Sequence, residues 1–233
     1  MRQTFLISIV LLPMLSVLSF LRGPQAPESP LEGVLHKLDA TAANFQSAQA
    51  DFVWDQYEKV VEETDTQKGT VYYRRAGNDI EMMADIKEPD RKFVLYKDGK
   101  LQVYQPKIEQ VNEYSVGNKR AEVESFLVLG FGGSGQDLTK AYDVTYVGEE
   151  RIDNVNTAKL QLVPKTEKVR NTFSKIFLWI DLSRGISVQQ EALEGQGDHR
   201  MARYSNLRLN EKIPSDVFRL KTTGKTQFIS PRG

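Results

Sequence analysis

Gly130-Phe131-Gly132-Gly133-Ser134-Gly135 matches the dinucleotide pattern GxGxxG letter by letter. That pattern holds a pyrophosphate only when a strand leads into it and a full helix leaves it, because loop amides and the helix N-terminus do the binding. Here only a few residues separate it from a strand-like stretch starting at Tyr142, so the run is read as a flexible loop. Ser134 lies between glycines, but Gln136 stands where GxSxG needs its last glycine, and the nucleophile elbow fails. His36 and His199 are the only histidines, and neither has an acid–serine pattern nearby. Asp51 and Asp55 straddle Trp54 and read as the solvated face of a strand, not as paired catalytic carboxylates. The sequence contains no HExxH, no EF-hand loop and no cysteine, which excludes disulfides, thiolate nucleophiles and cysteine zinc sites. With no chemistry-bearing constellation, the chain is read as non-enzymatic, with no metal or other cofactor.

The elements around these residues are mostly strands. A helix starts at Pro30, where Leu31, Val34, Leu35, Leu38, Ala42 and Phe45 recur at three- and four-residue spacing. Period-two alternation follows at residues 50–55, 70–75 and 79–86, as expected of a sheet with one buried face. Asp98-Gly99 between the apolar runs 93–96 and 101–104 marks a tight hairpin, because both turn positions favour positive φ. Val123, Phe126 and Leu127 form an apolar helical stripe that continues through Leu129 to Phe131, followed by the glycines. A helical turn fits residues 136–141, and strands resume at 142–147, 157–163, 173–181, 186–193 and 199–209. Regular strand spacing without long crossovers predicts an α+β fold: one strongly curved antiparallel sheet, an incomplete barrel, covered by a few α-helices.

Bulk properties add limits. The 31 basic and 31 acidic residues balance and are interspersed, so no nucleic-acid or anionic-surface binding is implied. Arg2 precedes an apolar run from Phe5 to Leu21 broken by Pro13, which fits a secretory signal over about residues 1–23, with a permanent membrane anchor as the rival reading. Residues 24–30 read as a flexible, proline-rich leader and 31–233 as one domain. The absence of cysteine also removes a lipidation site, so an exported product is expected to be soluble.

Five segments then carry a resemblance. Lys68-Gly69-Thr70-Val71-Tyr72-Tyr73-Arg74-Arg75 is a strand that starts near a glycine and ends in arginine. Asp98-Gly99 with Tyr104-Gln105-Pro106 forms a D-G…Y-x-P hairpin, and Gln105-Pro106-Lys107-Ile108-Glu109-Gln110-Val111 extends it. Phe173-Ser174-Lys175-Ile176-Phe177-Leu178-Trp179-Ile180-Asp181 and Tyr204-Ser205-Asn206 through Ile213-Pro214 and Phe218 close the series. In content and order these segments resemble the LolA family of periplasmic lipoprotein carriers, over roughly residues 31–220. Ala76-Gly77-Asn78 departs from the proline many members carry after the arginine, and the C-terminal extension of the best-known members is not evident.

The resemblance implies a monomeric periplasmic carrier that binds acyl chains of lipoproteins in an apolar cavity and moves them from inner to outer membrane. Its implied partners are those acyl chains, an inner-membrane ABC-type lipoprotein exporter and a possible outer-membrane receptor. The other reading of the same fold is a lipid-binding or envelope-stress sensor module. Arg75 is implied as a latch on the helical lid, with Arg74 taking its place if the register slips by one. The lid is expected at Val123, Phe126, Leu127, Leu129 and Phe131, hinged by the following glycines, and the cavity lining at Phe52, Trp54, Val71, Tyr73, Met82, Leu101 and Val103. Which strand face is concave stays open from sequence.

Overall fold

The computed structural model describes residues 28–77, 79–117, 123, 127 and 129–230. The expected signal segment, most of the leader and Phe126 lie outside them. Helix α1 (Pro30–Ala43) opens with a capping box: Ser29 Oγ accepts from the Glu32 backbone N–H, and Glu32 returns a carboxylate oxygen to the Ser29 N–H. Its stripe buries Val34 and Leu38.

Strands β1 (Ser47–Glu58), β2 (Glu63–Ala76), β3 (Asp79–Glu88), β4 (Lys92–Lys97), β5 (Lys100–Gln105) and β6 (Gln110–Ser115) form a meander. Asp98 and Gly99 take positive φ at the predicted hairpin, as a two-residue turn requires. After helix α2 (Gly135–Ala141) come β7 (Tyr142–Ile152) and β8 (Val155–Pro164), then the single turn α3 (Glu167–Arg170). Strands β9 (Lys175–Asp181), β10 (Ile186–Leu193), β11 (His199–Leu209) and β12 (Gln227–Ile229) complete one 12-stranded curved, open sheet. The order is β12-β6-β5-β4-β3-β2-β1-β11-β10-β9-β8-β7, so the two halves of the chain join where β1 pairs with β11.

The expected single curved antiparallel sheet is present, with one parallel pair added at an edge. After β11 the chain crosses the convex face, burying Ile213 and Phe218 against Met83 and Leu95, and β12 then runs parallel to β6. β6 and β12 escaped the sequence reading because a polar edge strand and a three-residue strand leave almost no alternation to detect.

The β10–β11 ladder ends at Gln189 opposite Arg203, while β1 and β11 stay paired to Ala48 opposite Leu209. The start of β10 therefore leaves β11, and its Ser187 N–H donates instead to the Gly130 carbonyl at 2.8 Å. This docks the covering segment on the sheet.

The glycine-rich run is packed, not the flexible loop expected from its composition. Gly130 and Gly132 have φ of +77° and +86°, and a Cβ on Gly132 would lie 2.6 Å from the Phe45 ring. Glycine is there because backbone and ring meet too closely for any side chain.

Candidate functional site

The inward residues of β1 to β3 fall on the predicted alternation. Phe52, Trp54, Val71, Tyr73 and Met82 line one cavity of about 300 Å³ between the concave face and the covering segment. Of the other two expected lining residues, Leu101 packs with the same apolar cluster without reaching the cavity. Val103 pairs with Val94 farther along the sheet and lies outside the lining. Val94 does line the cavity, which ends at β4, because alternation fixes the face of a strand and not how many strands across a cavity spans.

On the opposite side, Leu127 and Leu129 line the cavity, and Val123 packs against the cluster; Val123 and Leu127 are helical. Phe131 is a core residue instead of a cavity wall. It is 1% exposed, stacks on Tyr73 at 4.9 Å and meets Tyr204 edge-on at 4.6 Å. The Leu129 carbonyl accepts from Gln190 Nε2 at 2.6 Å. With Gly130 held by Ser187, the end of the cover is anchored on the sheet at the first of the glycines.

Successive residues on β2 point to opposite faces, which separates the two candidate latches. Arg75 is on the concave side, and its Nε donates to the Phe45 carbonyl at 3.2 Å while its backbone N–H donates to Gln46. Its partner among the described residues is the turn after α1. Arg74 faces the other way, ion-paired with Glu81 and stacked 4.4 Å over the Phe218 ring.

Several lining residues went unread in the sequence: Phe173, Gln190, Arg200 and Tyr204. Arg200, Ala202 and Tyr204 alternate on β11, so period two could have placed them. The arginine breaks the apolar signal that such a search relies on. Burial pushes the hydroxyls of Tyr73 and Tyr204 well above the usual tyrosine range, which keeps the lining neutral there.

The residues first considered for catalysis have structural roles. Ser134 Oγ caps α2, accepting from the Asp137 N–H at 3.0 Å. Asp51 lies on the face away from the cavity, and hydrogen bonds from Asn206 and then Thr70 hold its carboxyl below the usual range. Asp55 pairs with Arg203 and accepts from Thr66. His36 pairs with Glu28 at the surface, and His199 packs on Tyr57 with ring centroids 5.0 Å apart. No group of three metal-ligating side chains occurs among the described residues, and no described helix is long and apolar enough to cross a membrane.

A curved sheet whose concave apolar face is roofed to leave a cavity defines a lipid- or lipoprotein-binding module. Residues 43–221 match the family described as outer membrane lipoprotein carrier protein LolA, and the chain belongs to that family. Solved structures share the fold. An uncharacterized conserved protein from Thermus thermophilus superposes with a TM-score of 0.55 at 12% identity, covering 85% of this chain and 97% of that one. MucB superposes with a TM-score of 0.54 at 15% identity, covering 83% of this chain and 64% of MucB. No curated protein matches the sequence.

Proposed function

We propose that this chain is a periplasmic carrier that binds acyl chains of lipoproteins in its cavity and transfers them from the inner to the outer membrane. The observation that carries this reading is the apolar cavity lined by Phe52, Trp54, Met82 and Leu129 in a chain of the LolA family. An acyl chain drawn into water costs ~0.8 kcal/mol per methylene, so one of roughly 16 carbons costs on the order of 10 kcal/mol. A carrier must replace that membrane contact, and an apolar concave face does so without any reactive group.

At about 300 Å³ the cavity is at the lower end of the range for ligand sites, ~300–1,000 Å³. A long chain would therefore enter by displacing the cover around Leu127 and Leu129. Arg75 would oppose that opening through its bond to Phe45, as a latch that favours the cargo-free state. The partners in this reading are an inner-membrane ABC-type exporter and a possible outer-membrane receptor. A lipid-binding or sensor module is the second reading, supported by the fold shared with MucB.

Native mass spectrometry of protein purified from its own periplasm tests the reading. A bound lipoprotein whose acyl chains account for the complex is expected. A ligand-free protein that also fails to accept a purified triacylated lipoprotein would overturn it.

A further inference from the structure

The cavity lining is mostly apolar, its Gln190 amide is engaged by the Leu129 carbonyl, and one end carries a charge. There β11 turns Arg200 inward by the same alternation that points Ala202 and Tyr204 into the lining. Its guanidinium carbon lies 5.9 Å from the Trp54 ring and 5.9 Å from the Phe173 ring, bridging β1 and the turn before β9. Glu194, at the end of β10, supplies the counter-charge, its Oε1 2.5 Å from Arg200 Nε. Both atoms are buried, and neither is in hydrogen-bonding geometry. Glu194 therefore neutralises the charge while leaving the buried Nε without a directional hydrogen bond. Glu191, the other charged residue of the lining, alternates with the inward Gln190 and Ala192 and so belongs to the opposite face.

A guanidinium satisfies its forked donors best with a carboxylate or phosphate, which accepts two parallel hydrogen bonds. We propose that Arg200 is the head-group site of this cavity and that the protein takes up anionic amphiphiles. The carboxylate or phosphate takes the place of Glu194 on Arg200, and the chain lies along Phe52, Trp54 and Met82. The assignment rests on the acyl-binding reading above and widens it. The acyl chains of a lipoprotein hang from uncharged ester and amide groups, so a charged head identifies a second cargo class for the same cavity. The Trp54 and Phe173 rings flank the guanidinium and hold it at the mouth, where a head group stays near water while its tail is buried.

The test compares cis-parinaric acid with its methyl ester by fluorescence titration of the wild type, Arg200→Gln and Glu194→Gln. Arg200→Gln is expected to weaken the acid roughly tenfold, the loss of one charge-assisted contact, and to change the ester far less. Glu194→Gln removes the competing carboxylate and is expected to tighten the acid severalfold, again with far less effect on the ester. Opposite changes from the two partners of one ion pair would not arise from a merely structural pair, and melting curves confirm that both variants fold. Dodecanoate and dodecyl phosphate as competitors, with dodecanol as the neutral control, separate a fatty acid from a lipid phosphate as the source of the anion. Equal displacement by all three overturns the head-group assignment. So does binding of acid and ester that changes in parallel across the three proteins, which leaves the acyl-binding reading standing. Failure of both probes to bind the wild type removes the acyl-binding reading itself.

Discussion

Arg75 Nε lies 3.2 Å from the carbonyl oxygen of Phe45, a contact that ties the outer end of β2 to the turn leaving α1. Phe45 is also the residue whose ring fills the space above Gly132. One short turn thus touches both the arginine and the glycine-rich anchor of the cavity cover. This gives the proposed latch a physical route to the cover.

Arg75→Leu is expected to leave the fold intact and shift stability by about 1 kcal/mol or less, since the side chain is exposed and makes one side-chain hydrogen bond among the described residues. If the bond favours the closed, empty state, its loss should slow release of bound cargo to an acceptor. Release is measured by transfer of a fluorescent acyl probe to vesicles. Transfer at the wild-type rate would remove the latch role.

Arg74 predicts a separate behaviour on the convex face. Burial pushes the Glu81 carboxyl up, but hydrogen bonds and charge from Arg74 and Lys97 outweigh this and hold it below the usual range. A depressed folded value means stabilisation that is fully present above the unfolded value and is lost as pH falls through the folded one. Wild type should therefore exceed Glu81→Gln in stability at pH 7, with the gap shrinking below about pH 4.3, the ordinary glutamate value. Urea midpoints of both proteins at pH 7 and pH 3 check this, and an unchanging gap would count against the ion-pair account. Since Arg74 also stacks on Phe218, the variant should loosen the C-terminal segment first, visible as earlier hydrogen exchange over 213–220.

The glycine-rich run gives the third expectation. Gly132→Ala combines a positive φ with a Cβ driven into the Phe45 ring, and should cost about 3 kcal/mol or more. Gly77→Ala has a similar φ of +64° but open space around it, and should cost only about 1–2 kcal/mol. Equal costs in urea unfolding would mean that the run is held by its dihedral angles and not by packing.

Much of this architecture was legible in the sequence. Alternation at Phe52, Trp54, Val71, Tyr73 and Met82 identifies one face of three strands, and those residues do share the cavity. The Asp98-Gly99 turn could be read because its dihedral demands are local. What could not be read depends on pairing at a distance. The departure of β10 from β11, the seating of Gly130 on Ser187 and the crossing of the convex face by Ile213 and Phe218 each join segments far apart in the chain. Val103 shows the same limit on a smaller scale, on the correct face but beyond the cavity. The glycines misled for a different reason, since composition alone does not distinguish a loose loop from a backbone packed against a ring.

The last prediction separates the two residues that the apolar stripe had grouped as one lid. Leu127 is half-buried at the cavity surface, whereas Phe131 is 1% exposed between Tyr73 and Tyr204. Phe131→Ala removes contacts on every side and should cost ~3–5 kcal/mol, as large-to-small changes in a packed core do. Leu127→Ser removes contacts on one side only, because the other side is the cavity, so its cost in the empty protein should be nearer ~1–2 kcal/mol. With an acyl chain bound, that open side becomes a contact, and its loss then appears in affinity. A melting curve and a titration with the parinaric methyl ester on each variant are sufficient. Leu127→Ser should lower probe affinity severalfold with a small drop in melting temperature, and Phe131→Ala should give a large drop in melting temperature. If Leu127→Ser melts as early as Phe131→Ala and binds the ester as wild type does, Leu127 belongs to the core, and the cover is not a surface that cargo touches.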